Sequence, residues 1–204
     1  MYDLAPGWSL ATRIDLPLFI TESVSPDNPG GAYLFGVGDM LLQGLLIYSP
    51  SKRCAVAGGA QMIFPTASRD NMEAGKYRLV PTLGARYSLP EITPGSWAVF
   101  LLQYDYDFTG ESDRRHISEL QLAPLVNVAL PDGWFVNLYP SSDIRYNFAA
   151  KRPGDSGRLF LPFNLMIGKL LTRSIVTSLE MGSPIVHDYE VYDFKLEARV
   201  GFFF

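Results

Sequence analysis

Cysteine is nearly absent from these 204 residues, with Cys54 the only one. A single thiol excludes a disulfide scaffold and any CxxC-type zinc or redox site. Charged residues are also scarce, at 19% against 48% apolar, a composition that excludes a disordered chain. The formal net charge is −4 and no Lys/Arg block occurs, which argues against a nucleic-acid surface. No run approaches about 18 apolar residues, so no transmembrane helix is expected. The first residues, Met1 to Pro6, carry neither the basic stretch nor the apolar core of a signal peptide. Given the pattern that follows, the chain is expected to lack its natural beginning. The length suits a single domain, residues 1–204.

What is present points to strands. Fifteen Pro and 18 Gly spread along the chain disfavour long helices, while 11 Tyr and 13 Phe favour extended structure. In the first segment Trp8, Leu10, Thr12, Ile14, Leu16, Leu18 and Ile20 share one face at period two. Ser9, Ala11, Arg13, Asp15 and Pro17 share the other. The last segment is sharper, with Phe194, Leu196, Ala198, Val200, Phe202 and Phe204 opposed to Asp193, Lys195, Glu197, Arg199 and Gly201. Charges alternating inside an apolar run do not suit a soluble core.

Eight further strands are expected: Phe35–Tyr48, Cys54–Phe64, Lys76–Ser88, Trp97–Phe108, Ile117–Leu130, Trp134–Tyr146, Arg158–Lys169 and Ser174–Gly182. Ten strands of about 9–14 residues exceed the globular norm of about 5–6 and match the tilted length that crosses a bilayer. The connections Thr21–Leu34, Pro65–Gly75, Thr109–His116, Asn147–Gly157 and Ser183–Val191 are long and polar. Those between them, Ser49–Arg53, Leu89–Ser96, Pro131–Gly133 and Leu170–Arg173, are mostly shorter. Long outer loops alternating with short periplasmic turns characterise bacterial outer-membrane barrels. The expected fold is an all-β, antiparallel, up-and-down transmembrane barrel. Trp8, Trp97 and Trp134 would open outward-running strands. With Tyr48 and Tyr87 they would form an aromatic girdle at the periplasmic interface. Pro81, Pro124, Pro140 and Pro162 fall inside expected strands and speak against a regular ladder.

With the apolar face on lipid, the other face lines a lumen. Its expected members are Arg13, Asp15, Asp39, Gln43, Gln61, Arg78, Arg86, Gln103, Asp105, Asp107, Glu119, Gln121, Asn127, Asn137, Asp143, Arg145, Asn164, Lys195, Glu197 and Arg199. Turned outward, each Arg or Lys would cost about 2–4 kcal/mol at the bilayer midplane. About ten strands leave little space beyond what side chains fill, so a narrow path for a small solute is expected rather than an open water channel. A purely structural charge network stands beside that reading. Asp105 and Asp107 are the candidates for contact with a cation or a polar substrate group.

Several stretches together resemble one family: Gly36-Val37-Gly38-Asp39-Met40-Leu41-Leu42-Gln43, Phe64-Pro65-Thr66-Ala67, and Gly75-Lys76-Tyr77 with Pro81-Thr82. Ala123-Pro124-Leu125, Leu130-Pro131-Asp132-Gly133-Trp134, Leu161-Pro162-Phe163 and Gly168-Lys169 complete the set. These resemble the MetA-pathway phenol-degradation family of outer-membrane proteins, from about Trp8 to Phe204. The resemblance implies a Gram-negative outer-membrane barrel that passes small aromatic or other hydrophobic compounds, and tolerance of Pro at the matching positions. It implies partners in outer-membrane lipid, lipopolysaccharide and the barrel-assembly machinery, for which Phe204 resembles the terminal signal. Full-length members would carry a signal peptide and two more strands, twelve in all. In this chain closure is expected between the first strand and Phe194–Phe204.

Other motifs fall to simpler readings. Gly36-Val37-Gly38 lacks the third Gly and helix of a dinucleotide fingerprint. His116 and His187 fall in expected loops without metal-ligand spacing, and no metal or other cofactor is expected. Ser141, Ser142 and Asp143 have no assignable His, so no hydrolase or other enzyme is expected. Arg69, Asp70, Glu73, Glu111, Asp113, Arg114 and Arg115 read as solvated loop charges. Two rival readings stand: a closed structural or adhesive barrel binding through its loops, and a soluble lipocalin-like barrel with the faces reversed.

Overall fold

A computed structural model describes residues 2–21, 28–69 and 74–202, with the side chains of 19–21 outside the description. Phe204, Asp70 and Glu73 lie outside the described residues. The strands in chain order are β1 (Tyr2–Ala5), β2 (Trp8–Asp15), β3 (Leu18–Thr21), β4 (Leu34–Val37), β5 (Met40–Tyr48), β6 (Cys54–Phe64), β7 (Lys76–Ser88), β8 (Trp97–Gly110), β9 (Ser118–Ala129), β10 (Trp134–Leu138), β11 (Ile144–Asn147), β12 (Leu159–Leu170), β13 (Ile175–His187) and β14 (Lys195–Phe202). Twelve of them form one sheet, ordered β1-β2-β5-β6-β7-β8-β9-β10-β12-β13-β14, with β11 alongside β10 between β9 and β12. All pairings are antiparallel. A 3₁₀ turn at Pro131–Gly133 is the only helical element among the described residues.

Each of the ten expected segments is extended, and two, β6 and β7, have both ends where the sequence places them. Three segments are broken. The first is interrupted at Leu16-Pro17, because proline brings no ladder N–H. Phe35–Tyr48 breaks opposite it at Gly38-Asp39, so β3 and β4 form their own two-stranded sheet beyond the end of β2–β5. Trp134–Tyr146 breaks between Leu138 and Ile144, where Tyr139 takes a left-handed φ of 49° and Pro140 follows. The remaining prolines are absorbed locally. Pro162 sits at a register shift, Pro81 in a gap of the β7–β8 pairing, and Pro124 opposite Phe100. The last loop is shorter than expected, because β13 continues to His187. The expected closure does not appear among the described residues: β1 and β14 are the two edges of the sheet.

The burial pattern is inverted relative to a soluble domain. Along β9 the alternate residues Glu119, Gln121, Ala123, Leu125 and Asn127 are buried. Asp105, Asn137, Asp143, Asn164 and Glu180 are buried on the same face of the sheet. The opposite face shows Ile14 at 70%, Leu83 at 62% and Leu196 and Val200 at 62% exposure. The polar face is the concave one, since Arg199 on β14 reaches Ser141 across β12 and β13.

Several glycines on that face set close approaches, Gly59 and Gly168 among them. A Cβ on Gly59 would lie 2.0 Å from the Gly44 carbonyl oxygen, and one on Gly168 would lie 2.2 Å from the Phe135 ring. Gly59→Ala, which meets rigid backbone, is therefore expected to destabilise the protein by about 1–3 kcal/mol. Chemical denaturation should show a lowered midpoint, with Gly30→Ala unchanged because nothing lies within 4 Å of that position.

Candidate functional site

The polar residues of the concave face are ordered along the strands in three bands. Toward the long loops lie Lys76, Arg78, Asp105, Asp107, Glu119 and Arg145. Next comes a band of neutral groups. Gln43 faces Gln61, Gln103 faces Gln121, and Gln103 Nε2 donates to Thr82 Oγ1 at 3.0 Å. Toward the short turns the same face carries Val99, Leu101, Ala123, Leu125, Leu45 and Ile47, with Asn127 donating to Asn137 at 2.6 Å beside them. The cause is local: on β8, Val99, Leu101, Gln103, Asp105 and Asp107 follow one another at period two.

The charged groups join into a chain of alternating sign. Arg115 contacts Glu119 at 2.6 Å, Glu119 contacts Arg145 at 3.7 Å, and Arg145 contacts Asp143 at 2.9 Å. Lys195 bridges Asp143 and Glu180, both at 2.9 Å. Arg199 continues from Glu180 at 2.7 Å to Glu197 at 2.5 Å. Neutral donors complete the shell. Asn164 donates to Asp143 at 2.7 Å and to Glu180 at 3.3 Å, Ser141 Oγ donates to Glu180 at 2.9 Å, and Tyr192 donates to Asn164 at 3.1 Å. Separate pairs join Arg78 to Asp105 at 2.9 Å and Lys76 to Asp107 at 3.7 Å. Asp107 also accepts the Ile117 N–H at 2.7 Å and lies 3.0 Å from the His116 ring, so it ties down the β8–β9 loop. Burial raises the pKa of the loop phenols Tyr189 and Tyr192.

Eleven of the residues expected on this face thus meet in one region: Arg78, Asp105, Asp107, Glu119, Gln121, Asp143, Arg145, Asn164, Lys195, Glu197 and Arg199. Others serve elsewhere. Arg13 donates to Asp15 at 2.7 Å, both on β2 near the other edge of the sheet. Arg86 lies over the Trp97 ring at 5.4 Å near the short turns. Asp39 is a staple: its Oδ1 accepts the N–H groups of Thr66 at 3.0 Å and Ala67 at 3.1 Å, while Thr66 Oγ1 accepts the Met40 N–H at 2.8 Å. Two of the sequence stretches singled out above meet there.

Trp8 pairs with Tyr48 at 4.7 Å on the apolar face near the short turns. Trp134 lies beneath Lys169 at 4.8 Å, and Tyr87 is exposed on that face. Trp97 differs from the expected girdle: it precedes Val99 by two residues on β8 and stands opposite Asn127, so strand parity puts it on the concave face. Sequence reasoning passed over Glu180, wholly buried between Lys195 and Arg199. Its alternation with Val176, Ser178 and Gly182 carried the signal, muted by the smallness of its neighbours. Arg115, read as a solvated loop charge, belongs to the buried chain.

The family model described as "Putative MetA-pathway of phenol degradation" matches residues 2–160. No curated protein and no solved structure matches the chain.

Glu180 is the wholly buried carboxylate of the chain, and its loss takes from Lys195 and Arg199 the partner they share, leaving them Asp143 and Glu197. Glu180→Ala is expected to cost about 1.5–3 kcal/mol, with Glu180→Gln recovering part of the loss. Denaturation midpoints check this, and a loss below about 1 kcal/mol would contradict the assignment.

Proposed function

Because the chain belongs to the MetA-pathway phenol-degradation family, we propose that it is an outer-membrane β-barrel through which a small, apolar or aromatic solute passes passively. The observation that carries this reading is the inverted burial. Glu180 is 0% exposed while Leu196, Val200 and Phe202 on the neighbouring strand are each at least 60% exposed. In water such an apolar face would be an aggregation surface, whereas in hydrocarbon it needs no cover. A soluble lipocalin-like barrel requires the opposite arrangement.

Three further features support the bilayer. Strands β7, β8, β9, β12 and β13 have 12–14 residues, enough to cross it at a tilt. The described residues 65–69 and 74–75 and connections 111–117, 148–158 and 188–194 lie at one end of the sheet, and 49–53, 89–96, 130–133 and 171–174 at the other. Trp8, Tyr48, Tyr87 and Trp134 gather near the second end on the apolar face, and Lys169 over Trp134 suits a headgroup boundary. The route follows the three bands: an ionic mouth, a ring of amides, then an apolar wall from Leu45 to Leu125. Partners in this reading are lipid, lipopolysaccharide and the barrel-assembly machinery. No chemistry is assigned to the protein.

The ion chain supports a second reading. Its members fill much of the concave face between β9 and β14, as in a closed barrel that binds through its loops. Liposome swelling of the refolded protein separates the two. Passage predicts swelling that changes in Asp105→Ala and Asp107→Ala, whereas a rate indifferent to every concave-face substitution rejects a transport path. The bilayer itself is checked with single-Trp variants in brominated lipid. Fluorescence of Trp8 and Trp134 should be quenched strongly, and that of Trp97, on the concave face, weakly.

A further inference from the structure

A cavity of about 400 Å³ opens at the long-loop end of the concave face. Its lining holds Arg78, Arg114, Arg115, Arg145 and Arg152 against only two carboxylates, Glu119 and Glu190. Carboxylates outside the lining answer part of the charge, Asp105 for Arg78 and Glu111 for Arg114, both at 2.9 Å, so the excess is one of N–H donors rather than of net charge. Glu119 is shared by Arg115 and Arg145, at 2.6 Å and 3.7 Å. Arg145 shares Asp143 with Lys195. Arg152 reaches Glu190 only at 4.0 Å. A guanidinium has five N–H donors in a planar fork, and one carboxylate uses at most two of them. The Nε atoms of Arg115 and Arg145 are buried with no acceptor in the protein, as is the hydroxyl of Tyr189, whose ring lies 5.4 Å from the Arg115 guanidinium. Buried donors without acceptors are costly, so this arginine cluster is under-satisfied within the protein; the guanidinium N–H groups that the carboxylates leave unused are the ones an anion in the cavity would meet. The rest of the lining is apolar: Ala74, Ile117 and Val191.

We propose that this cavity binds a small organic carboxylate, its anionic group among Arg115, Arg145, Arg114 and Arg152 and its apolar body against Ile117 and Val191. The site deepens the solute-passage reading by giving the solute a charge, and rests on that reading for its purpose. The carboxylate fits better than a compact phosphate, because the planar fork of arginine pairs with a planar acceptor and the cavity has an apolar wall. The volume is within the range of small-molecule pockets.

The test is calorimetric titration of the purified, folded full chain in detergent with benzoate, benzyl alcohol and inorganic phosphate. Saturable benzoate binding is expected, with none by benzyl alcohol and a loss of affinity of about tenfold between low and 0.5 M salt. The loop variant Arg114→Ala/Arg152→Ala lies outside the buried ion chain. It should keep the circular dichroism of the parent and bind benzoate about three- to tenfold more weakly. Arg115→Lys, which keeps the charge and loses the fork, should also weaken binding. The proposal is overturned by no saturable benzoate binding, by equal binding of benzyl alcohol, or by full affinity in the double variant. Phosphate binding as tightly as benzoate would also overturn it and move the site to phosphate or lipid headgroups. Benzoate binding without liposome swelling would leave the site standing and reject the transport path. Swelling without benzoate binding would do the reverse.

Discussion

The chain of alternating ions from Arg115 to Glu197 is the constraint around which the rest of this protein is arranged. Charges taken out of water are costly by several kcal/mol each unless every one is paired and hydrogen-bonded. Here each carboxylate of the chain lies between two cations, and Asn164, Ser141 and Tyr192 satisfy remaining sites. That arrangement demands a concave polar face, which brings β14 within reach of the β10–β11 break. A polar concave face then leaves the apolar side chains on the other face, where they stand exposed. Ion chain, curvature and inverted burial are one consequence in three places.

The stretches that mark the family find local mechanical reasons in the structure. Asp39 fastens the segment after β6 to the β4–β5 break, so Gly36–Gln43 and Phe64–Ala67 form one joint. The Pro131–Gly133 turn sets Trp134 and Phe135 opposite Lys169 and Gly168, where the missing Cβ admits the Phe135 ring. Neither joint touches the arginine-lined cavity. These family marks therefore concern how the sheet is assembled, while the mouth is built from residues outside them, Arg114, Arg115 and Arg152 among them.

Much of the architecture was legible in the sequence. Alternation, length and turn-rich connections together marked ten segments that are all extended in the structure, with β1 lying outside them, and parity sorted Arg78, Asp105, Glu119, Arg145 and Lys195 onto one face. Alternation read through the breaks at Pro17, Gly38-Asp39 and Tyr139-Pro140, because it continues in sequence across an interruption of the ladder. It misplaced Trp97 when position within the strand was allowed to outrank parity. Glu180 stayed unremarked because one carboxylate amid small residues looks unimportant until the cations from β14 arrive.

By itself the sequence determined which side chains share a face and where the chain turns, since both depend on backbone geometry over a few residues. Only the tertiary structure decided that Arg115, Arg145 and Lys195 share two carboxylates, and that β1 and β14 are, among the described residues, the two edges of the sheet. Those outcomes depend on register and curvature summed over strands tens of residues apart, and no short window of sequence contains that sum.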